Sequence, residues 1–436
     1  MKNYVVLQIL AAIIFLAVLP AEAGQEYHAE ASDRSGTKAR PDSTLENPEK
    51  ISSTDGWEKV VSFPGALVNL PFKIVFQSGA WSVERINESQ IIPRTIDLLT
   101  FENGRAGFVP LYTSRSGAGM KFYAKGFVSE QAKFSASFAA GLRNRKRYQL
   151  QMKRLELFDG RIVTHFLGRY RVLSDERFFG LGPNSLEENE SNYAHEQSSG
   201  AVTLLVPFRG DASFEVGFRY DYNSILTGEN REFRSTTDLF NSETLPGMER
   251  GTAIAGTNIS FLYDSRNNRG NPNKGMTIHA SSEVFSEMGG SQFGFWRVST
   301  EVSRYLHLIH DRKLVLRAGV QATDPFSNRE IPFYYLTELG SQETIRGFTR
   351  GRFRDRDMVT GSIEYRYPIW RAIDALLFID GGRVTSSLRN EFELDDVQWG
   401  FGGGIRVWNR EGEILTLQIG KGPEQVRVHF SLFSGD

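Results

Sequence analysis

The stretch Val397-Gln398-Trp399-Gly400-Phe401-Gly402-Gly403-Gly404-Ile405-Arg406-Val407-Trp408 alternates between two kinds of side chain. One set is apolar and comprises Val397, Trp399, Phe401, Ile405 and Val407. The intervening positions are glycine or polar residues: Gln398, Gly400, Gly402, Gly404 and Arg406. Because successive side chains of a β-strand point to opposite faces, this stretch predicts a strand with one apolar face and one small or polar face.

The same two-residue period continues over most of the chain. In residues 314–321 and 425–432, apolar residues again alternate with polar or small ones. From residue 104 onward we identify about 16 candidate strands, each near the ~10 residues that cross a bilayer at a tilt. The pattern therefore predicts an all-β protein whose strands are apolar on one side only.

Short and long connections alternate between these candidate strands. The short connections are residues 129–131, 158–160, 209–211 and 409–412, and the long ones are 174–191, 227–249 and 323–356. A soluble sandwich would show the same period, but this asymmetry is typical of a barrel with short periplasmic turns and longer outer loops. We therefore predict a transmembrane antiparallel β-barrel of about 16 strands, preceded by a short N-terminal helical segment, because a closed barrel pairs every backbone group in lipid.

The residues before the barrel divide into three segments. Residues 1–23 combine Lys2, an apolar run and Ala21-Glu22-Ala23, which are features of an export signal peptide. A membrane anchor is the alternative, but the run is shorter than the roughly 20 residues of a spanning helix. Residues 24–56 are polar without an apolar period and are interpreted as a disordered periplasmic tether.

Residues 57–103 show a different period. Their apolar residues recur at spacings of three and four and are interrupted by Pro64 and Pro71. This spacing predicts short amphipathic helices, which either cap the barrel or lie at the membrane surface or in the lumen. The barrel domain is assigned to residues 104–436.

Composition excludes several classes of function. The chain has 51 Lys plus Arg and 52 Asp plus Glu, with a formal net charge of -1 and no cysteine. Balanced charge removes the electrostatic basis for binding nucleic acid. Without cysteine, disulfides, thiolate metal sites and a lipid-anchored N-terminal cysteine are excluded.

Within the longest connection lies Leu339-Gly340-Ser341-Gln342-Glu343-Thr344-Ile345-Arg346-Gly347-Phe348. Here the sequence resembles the bacterial surface antigen family, the barrels of BamA/TamA-type assembly factors and two-partner secretion transporters. In that family the sixth extracellular loop carries a Val/Ile-Arg-Gly-Phe/Tyr motif and folds into the lumen. Ile345, Arg346, Gly347 and Phe348 match this motif, between the eleventh and twelfth predicted strands.

Two further motifs resemble the same family. Residues 361–368 and 378–382 are similar to its twelfth and thirteenth strands, and strand alternation turns Glu364 and Asp380 toward the lumen. A guanidinium can bridge carboxylates with several charge-assisted bonds. We therefore expect Arg346 to pair with Asp380, with Glu364 close by, so that the loop is locked inside the barrel.

The resemblance also implies a gate. The barrel closes between its first and last strands, and the first strand contains Gly107 and Pro110, which weaken strand pairing. We expect a weak seam that involves these residues and Val428 and that offers its edge to an incoming strand; alternatively, Pro110 only marks the start of the strand. Well-studied members carry POTRA modules, whereas residues 24–99 show no such pattern.

No enzyme motif is found, and we expect no catalysis, cofactor or metal site. His307 and His310 have a metal-like spacing that we attribute to chance. The resemblance implies an outer-membrane factor that aids insertion or transport of outer-membrane proteins or lipids, with client polypeptides, lipids and lipopolysaccharide as partners. The basic residues 143–147 could meet lipopolysaccharide phosphates or form a solvated loop. The alternative function is a passive pore or surface receptor.

Overall fold

The computed structural model describes residues 99–113, 115–126, 128–241, 243–248, 251–370, 372–391, 396–409 and 412–432. The predicted signal peptide (1–23), the tether (24–56) and residues 57–98 of the predicted helices lie outside the described residues. At residues 100–101 the chain forms the strand Thr100–Phe101 where a helix was expected. It is extended because Thr100 and Phe101 pair with Gly107 and Ala106 of the first barrel strand.

Sixteen strands of the described residues build one antiparallel sheet that closes on itself. They are β1 (Ala106–Thr113), β2 (Gly117–Lys125), β3 (Lys133–Ala140), β4 (Lys146–Leu157), β5 (Ile162–Phe178), β6 (Ser191–Pro207), β7 (Ala212–Thr227), β8 (Thr252–Asp264), β9 (Gly275–Glu287), β10 (Gly294–His307), β11 (Lys313–Pro325), β12 (Asp357–Trp370), β13 (Ile373–Thr385), β14 (Gln398–Trp408), β15 (Glu413–Lys421) and β16 (Val426–Leu432).

Each strand pairs with the next along the chain, and β1 pairs with β16 to close the barrel. Two short segments extend this sheet: Thr100–Phe101 pairs with β1, and Arg234–Ser235 pairs with β6. The prediction of an all-β barrel with about 16 strands is confirmed.

The apolar side chains of the alternating pattern cover the outside of the barrel. Trp399 and Phe401 of β14 are 59% and 56% exposed, whereas Gly400 between them is buried. Because the exposed side chains are large and apolar around the sheet, this outer surface suits the hydrocarbon region of a bilayer. No helix among the described residues is long and apolar enough to cross a membrane.

Two neighbouring strands are longer than the sequence pattern predicted. β5 and β6 have 17 residues each, so residues 174–178 continue the strand instead of opening the loop. The additional residues at the ends of these two strands are stabilised because Phe178 and Tyr193 are buried against Phe333 of the long connection between β11 and β12. Tertiary packing here extends the strands beyond the local signal.

The long connection between β11 and β12 has ordered structure of its own. It contains the 3-10 helix Phe333–Tyr335 and a two-stranded hairpin, Thr337–Leu339 with Phe353–Asp355. Residues between the hairpin strands form a tip whose Ile345 and Phe348 are buried together with Leu339. We call residues 326–356 the lumenal loop.

Candidate functional site

The tip of the lumenal loop is shaped by short-range hydrogen bonds. The Ser341 hydroxyl accepts from the backbone N–H groups of Glu343 and Thr344 at 3.1 and 3.2 Å, and the Gly340 N–H donates to the Thr344 hydroxyl at 3.1 Å. Gly347 has a φ of +115°, which an L side chain rarely adopts. This turn fixes the direction in which Arg346 leaves the backbone.

Arg346 is bound by two acidic residues on adjacent strands. Its Nε and Nη2 donate to the two carboxylate oxygens of Asp380 on β13, at 2.8 and 2.6 Å. Its Nη1 donates to Glu364 Oε2 on β12 at 2.7 Å, and its Nη2 to the Ser362 hydroxyl at 3.2 Å. The Arg346 backbone N–H also donates to Asp380, at 3.0 Å. The structure thus brings together the three charged residues of the predicted lock.

These charges are almost completely removed from solvent. The side chains of Arg346, Glu364 and Asp380 are 4%, 2% and 0% exposed. Burial alone lowers the pKa of Arg346, but its bonds to Asp380 and the charge of Glu364 outweigh burial and raise the pKa above its usual value. The Phe378 ring lies 3.5 Å from the guanidinium carbon. The site is a desolvated cluster of ion pairs whose strength depends on good geometry.

Two further arginines complete this cluster. Arg366 Nε donates to the second Glu364 oxygen at 2.6 Å, and Arg317 Nη1 lies 3.4 Å from the first. Glu364 is therefore held by three guanidinium groups from β11, β12 and the loop. Strand alternation places Arg366 in the lumen with Glu364 and Arg317 on the polar face of β11, but it does not predict that either arginine binds Glu364.

The floor beneath the loop tip is made of glycines. A Cβ on Gly400 of β14 would lie 2.2 Å from the Arg346 carbonyl oxygen, and one on Gly420 of β15 would lie 2.7 Å from the Gly347 nitrogen. Side chains at these positions would collide with the loop backbone. The small face of the alternating pattern is therefore the surface on which the loop lies.

A second anchor ties the loop to the hairpin between β15 and β16. Arg352 donates through Nε to both Glu424 oxygens at 2.9 and 2.8 Å, and its Nη2 lies 2.7 Å from Glu424 Oε1. The Thr349 hydroxyl accepts from Gln425 Nε2 at 2.6 Å and from Arg427 Nη2. These contacts hold the strand that closes the barrel.

A third anchor lies on the opposite side of the loop. Arg354 is 1% exposed and donates to Glu338 Oε1 at 2.6 Å, to the Tyr193 hydroxyl at 3.0 Å and to the Phe333 carbonyl at 3.3 Å. The sequence pattern predicts no role for Arg352 or Arg354. The only local signal was the basic stretch of residues 350–354, and their partners are distant in sequence.

Most of the barrel, including the lumenal loop, matches a known protein family. Residues 114–409 match the family model of the Omp85 superfamily domain. This chain belongs to the Omp85 superfamily. The predicted resemblance to BamA-type barrels is confirmed, and barrels of this family reside in the bacterial outer membrane. The expected absence of POTRA modules concerns residues 24–99, of which only the last is described.

Two solved structures have a similar fold. BamA from Haemophilus ducreyi lacking POTRA domains 1-3 is 17% identical with a TM-score of 0.54, and the match covers 74% of this chain and 68% of that chain. CdiB from Escherichia coli is 10% identical with a TM-score of 0.53, and the match covers 75% of this chain and 62% of that chain. At these identities the likeness concerns the fold alone.

The seam of the Omp85 barrel differs in detail from the expected gate. β1 and β16 pair Tyr112 with Leu432 and Thr113 with Ser431. Gly107 is instead paired with Thr100 and with Tyr123 of β2, and Val428 is paired with Ile419 of β15. Pro110 is paired with Met120 of β2. The structure therefore does not bring Gly107 or Pro110 next to Val428.

The predicted basic cluster of residues 143–147 is divided by the Omp85 fold. Arg143 and Arg145 form ion pairs with Asp175 at 3.2 and 2.5 Å, whereas Arg147 turns into the lumen. His307 lies 3.7 Å from Asp311, and the described residues contain no group of His, Asp or Glu that could hold a metal ion.

Proposed function

We propose that this protein aids the insertion or transport of outer-membrane proteins or lipids, through the seam between β1 and β16 and under the control of the lumenal loop. Its partners are client polypeptides, membrane lipids and lipopolysaccharide, and it reaches the outer membrane through the export signal in residues 1–23. Membership of the Omp85 superfamily supports this class of function.

The observation that carries the proposal is the way one loop holds two walls of the barrel. Arg346 binds β12 and β13, while Thr349 and Arg352 hold the hairpin that leads into β16. Because β16 is one side of the seam, any displacement of the loop loosens the strand that has to move when the seam opens. The loop is thus placed to act as a latch on the gate.

The edge of β1 supports the proposal independently. β2 occupies one edge of β1 along its whole length, so the strand Thr100–Phe101 pairs with the seam edge at Ala106 and Gly107. A Cβ on Gly107 would lie 2.6 Å from the Leu99 carbonyl oxygen, so the glycine allows this close approach. The seam edge of β1 therefore already accepts an added strand, which is the geometry of β-augmentation.

The experiment that tests the gate is a reversible crosslink of the seam. Tyr112→Cys with Leu432→Cys places a disulfide between residues that are directly paired across β1 and β16. Leu417→Cys with Phe430→Cys is the matched control, because it joins paired residues of β15 and β16 next to the seam. The chain has no native cysteine to interfere.

Each double variant is expressed in place of the native chain, and the levels of outer-membrane barrels and lipid asymmetry are followed. We expect the oxidised seam variant to behave like a deletion and to recover on reduction, while the control supports normal assembly under both conditions. Normal assembly with a fully crosslinked seam would refute the gated function.

A passive pore or surface receptor is the second candidate. It is favoured by two lumenal cavities of about 580 and 410 Å³, both lined by charged side chains. In that case the seam crosslink leaves both assembly and single-channel conductance unchanged. Conductance that persists in the oxidised seam variant, together with normal assembly, is the result that would support this function.

A further inference from the structure

Two arginines face each other directly on neighbouring strands of the lumen wall. Arg147 of β4 is paired with Arg171 of β5, so both side chains leave the same face of the sheet. Like charges in this arrangement repel, and side chains at such positions begin about 5 Å apart. Arg169, the next inward residue of β5, lies beside them, and all three line the cavity of about 580 Å³.

The three guanidinium groups have unused donors. The Nε atoms of Arg147, Arg169 and Arg171 are buried without a hydrogen-bond acceptor, and Arg147 donates through Nη2 to Gln149 Oε1 at 2.7 Å. No acidic residue in the described part of the chain forms an ion pair with any of the three. A buried donor without an acceptor is destabilising, and more so when it is charged.

Most acidic residues near the three arginines already pair with other arginines. β2 and β3 contain no acidic residue at all. Glu176 and Asp175 at the outer end of β5 are already paired with Arg115 and with Arg143 and Arg145. In the same cavity Glu364, Glu343 and Glu413 pair with Arg346, Arg350 and Arg406, and Glu301 forms no ion pair with any of the three arginines of the site. The fold therefore concentrates positive charge on the wall that continues from the seam through β2 to β5.

We propose that Arg147, Arg169 and Arg171 form a binding site for a phosphate group inside the lumen. A phosphate dianion offers several acceptor oxygens in a tetrahedral arrangement, which two or three planar guanidinium groups can bind at once. Its negative charge attracts both Arg147 and Arg171 and so compensates the repulsion between them. A free phosphate or a phosphate monoester has this charge, and the phosphodiester of a lipid headgroup offers two terminal oxygens and one negative charge to the same guanidinium groups.

The test measures binding of inorganic phosphate to the purified full chain in detergent, by calorimetry and by the midpoint of thermal unfolding, against chloride at equal ionic strength. Arg171→Gln and Arg147→Gln each remove one side of the facing pair. Arg143→Gln is the matched control, since it removes an arginine that Asp175 already neutralises outside the cavity. Retention of the folded, heat-modifiable band on gels shows that each variant is intact.

We expect phosphate to bind the native chain and to raise its unfolding midpoint. Each of the two lumenal variants should weaken binding by at least about tenfold, and Arg143→Gln by less than about twofold. In chloride, Arg171→Gln should be at least as stable as the native chain, because it relieves a like-charge contact. Binding that is no better than chloride, or equal losses in all three variants, would overturn the proposal.

Two competitors identify the source of the phosphate. Glycerol phosphate represents a soluble ligand, and nanodiscs that contain phosphatidylglycerol represent a lipid headgroup. Competition by glycerol phosphate alone assigns the site to soluble phosphates, and competition by the nanodiscs assigns it to lipid. If neither competes with bound inorganic phosphate, the site takes the free anion and excludes phosphate esters, which rules out the lipid headgroup as the source.

Discussion

The Arg346 carbonyl lies directly over Gly400 of β14, so close that a Cβ on Gly400 would stand 2.2 Å from its oxygen. Real Cβ atoms do not approach a carbonyl oxygen this closely. The side chain of Arg346 is meanwhile bound to Asp380 on the neighbouring strand β13. The loop tip is thus fixed from two sides, by the absence of a side chain below it and by a salt bridge beside it.

Replacing Gly400 by alanine should therefore displace the loop tip without removing any of its bonding groups. We expect Gly400→Ala to lengthen the contacts between Arg346 and Asp380 and to increase protease cleavage of the lumenal loop in intact cells. Gly168→Ala on β5 is the control, because no atom lies within 4 Å of a Cβ built there. Equal cleavage of both variants would show that Gly400 does not seat the loop.

Arg346→Met tests the salt bridge itself. Removing one partner of a buried ion pair leaves the other charges uncompensated, so we expect a loss of about 3–5 kcal/mol in unfolding free energy. Arg350→Met, which breaks an exposed ion pair with Glu343, should cost at most about 1 kcal/mol. The comparison is made by chemical unfolding in detergent, and similar costs for the two variants would contradict a buried lock.

The sequence predicted the barrel because its main signal is local. A period of two with one apolar face can be recognised from neighbouring residues alone. A sheet of 16 such strands in lipid has to close into a barrel, because only closure pairs the backbone groups of its two edge strands. Arg346, Glu364 and Asp380 could be identified because a family motif and strand parity both pointed to them. Neither the barrel nor these residues required knowledge of a distant contact.

The remaining site residues depend on contacts between segments that are remote in sequence. Arg352 meets Glu424 and Arg354 meets Tyr193 only after the barrel has closed and the loop has entered it. The register of the seam also depends on a contact between distant segments, because it is set by the offset between β1 and β16 in the closed barrel. A local pattern does not contain this offset. For this reason Gly107 and Val428 were expected to be neighbours.

The second anchor can be tested by exchanging its charges. Arg352→Glu and Glu424→Arg should each loosen the hairpin before β16, since each places two like charges in contact at a site where the partners are 5% and 17% exposed. The double variant restores opposite charges and should recover part of the lost stability. If the exchange recovers none of it, the contact between these residues is not what holds the hairpin.

If the loop acts as a latch, its two anchors must be energetically coupled although they bind different strands. We expect Arg346→Met and Glu424→Gln to be non-additive, with an interaction free energy above about 0.5 kcal/mol, because loss of one anchor lets the loop move away from the other. Independent anchors would instead give additive effects within about 0.3–0.5 kcal/mol. The cycle is measured by unfolding and repeated with the oxidised Tyr112→Cys and Leu432→Cys seam. There the coupling should fall, because a covalent seam holds β16 even when the loop is displaced.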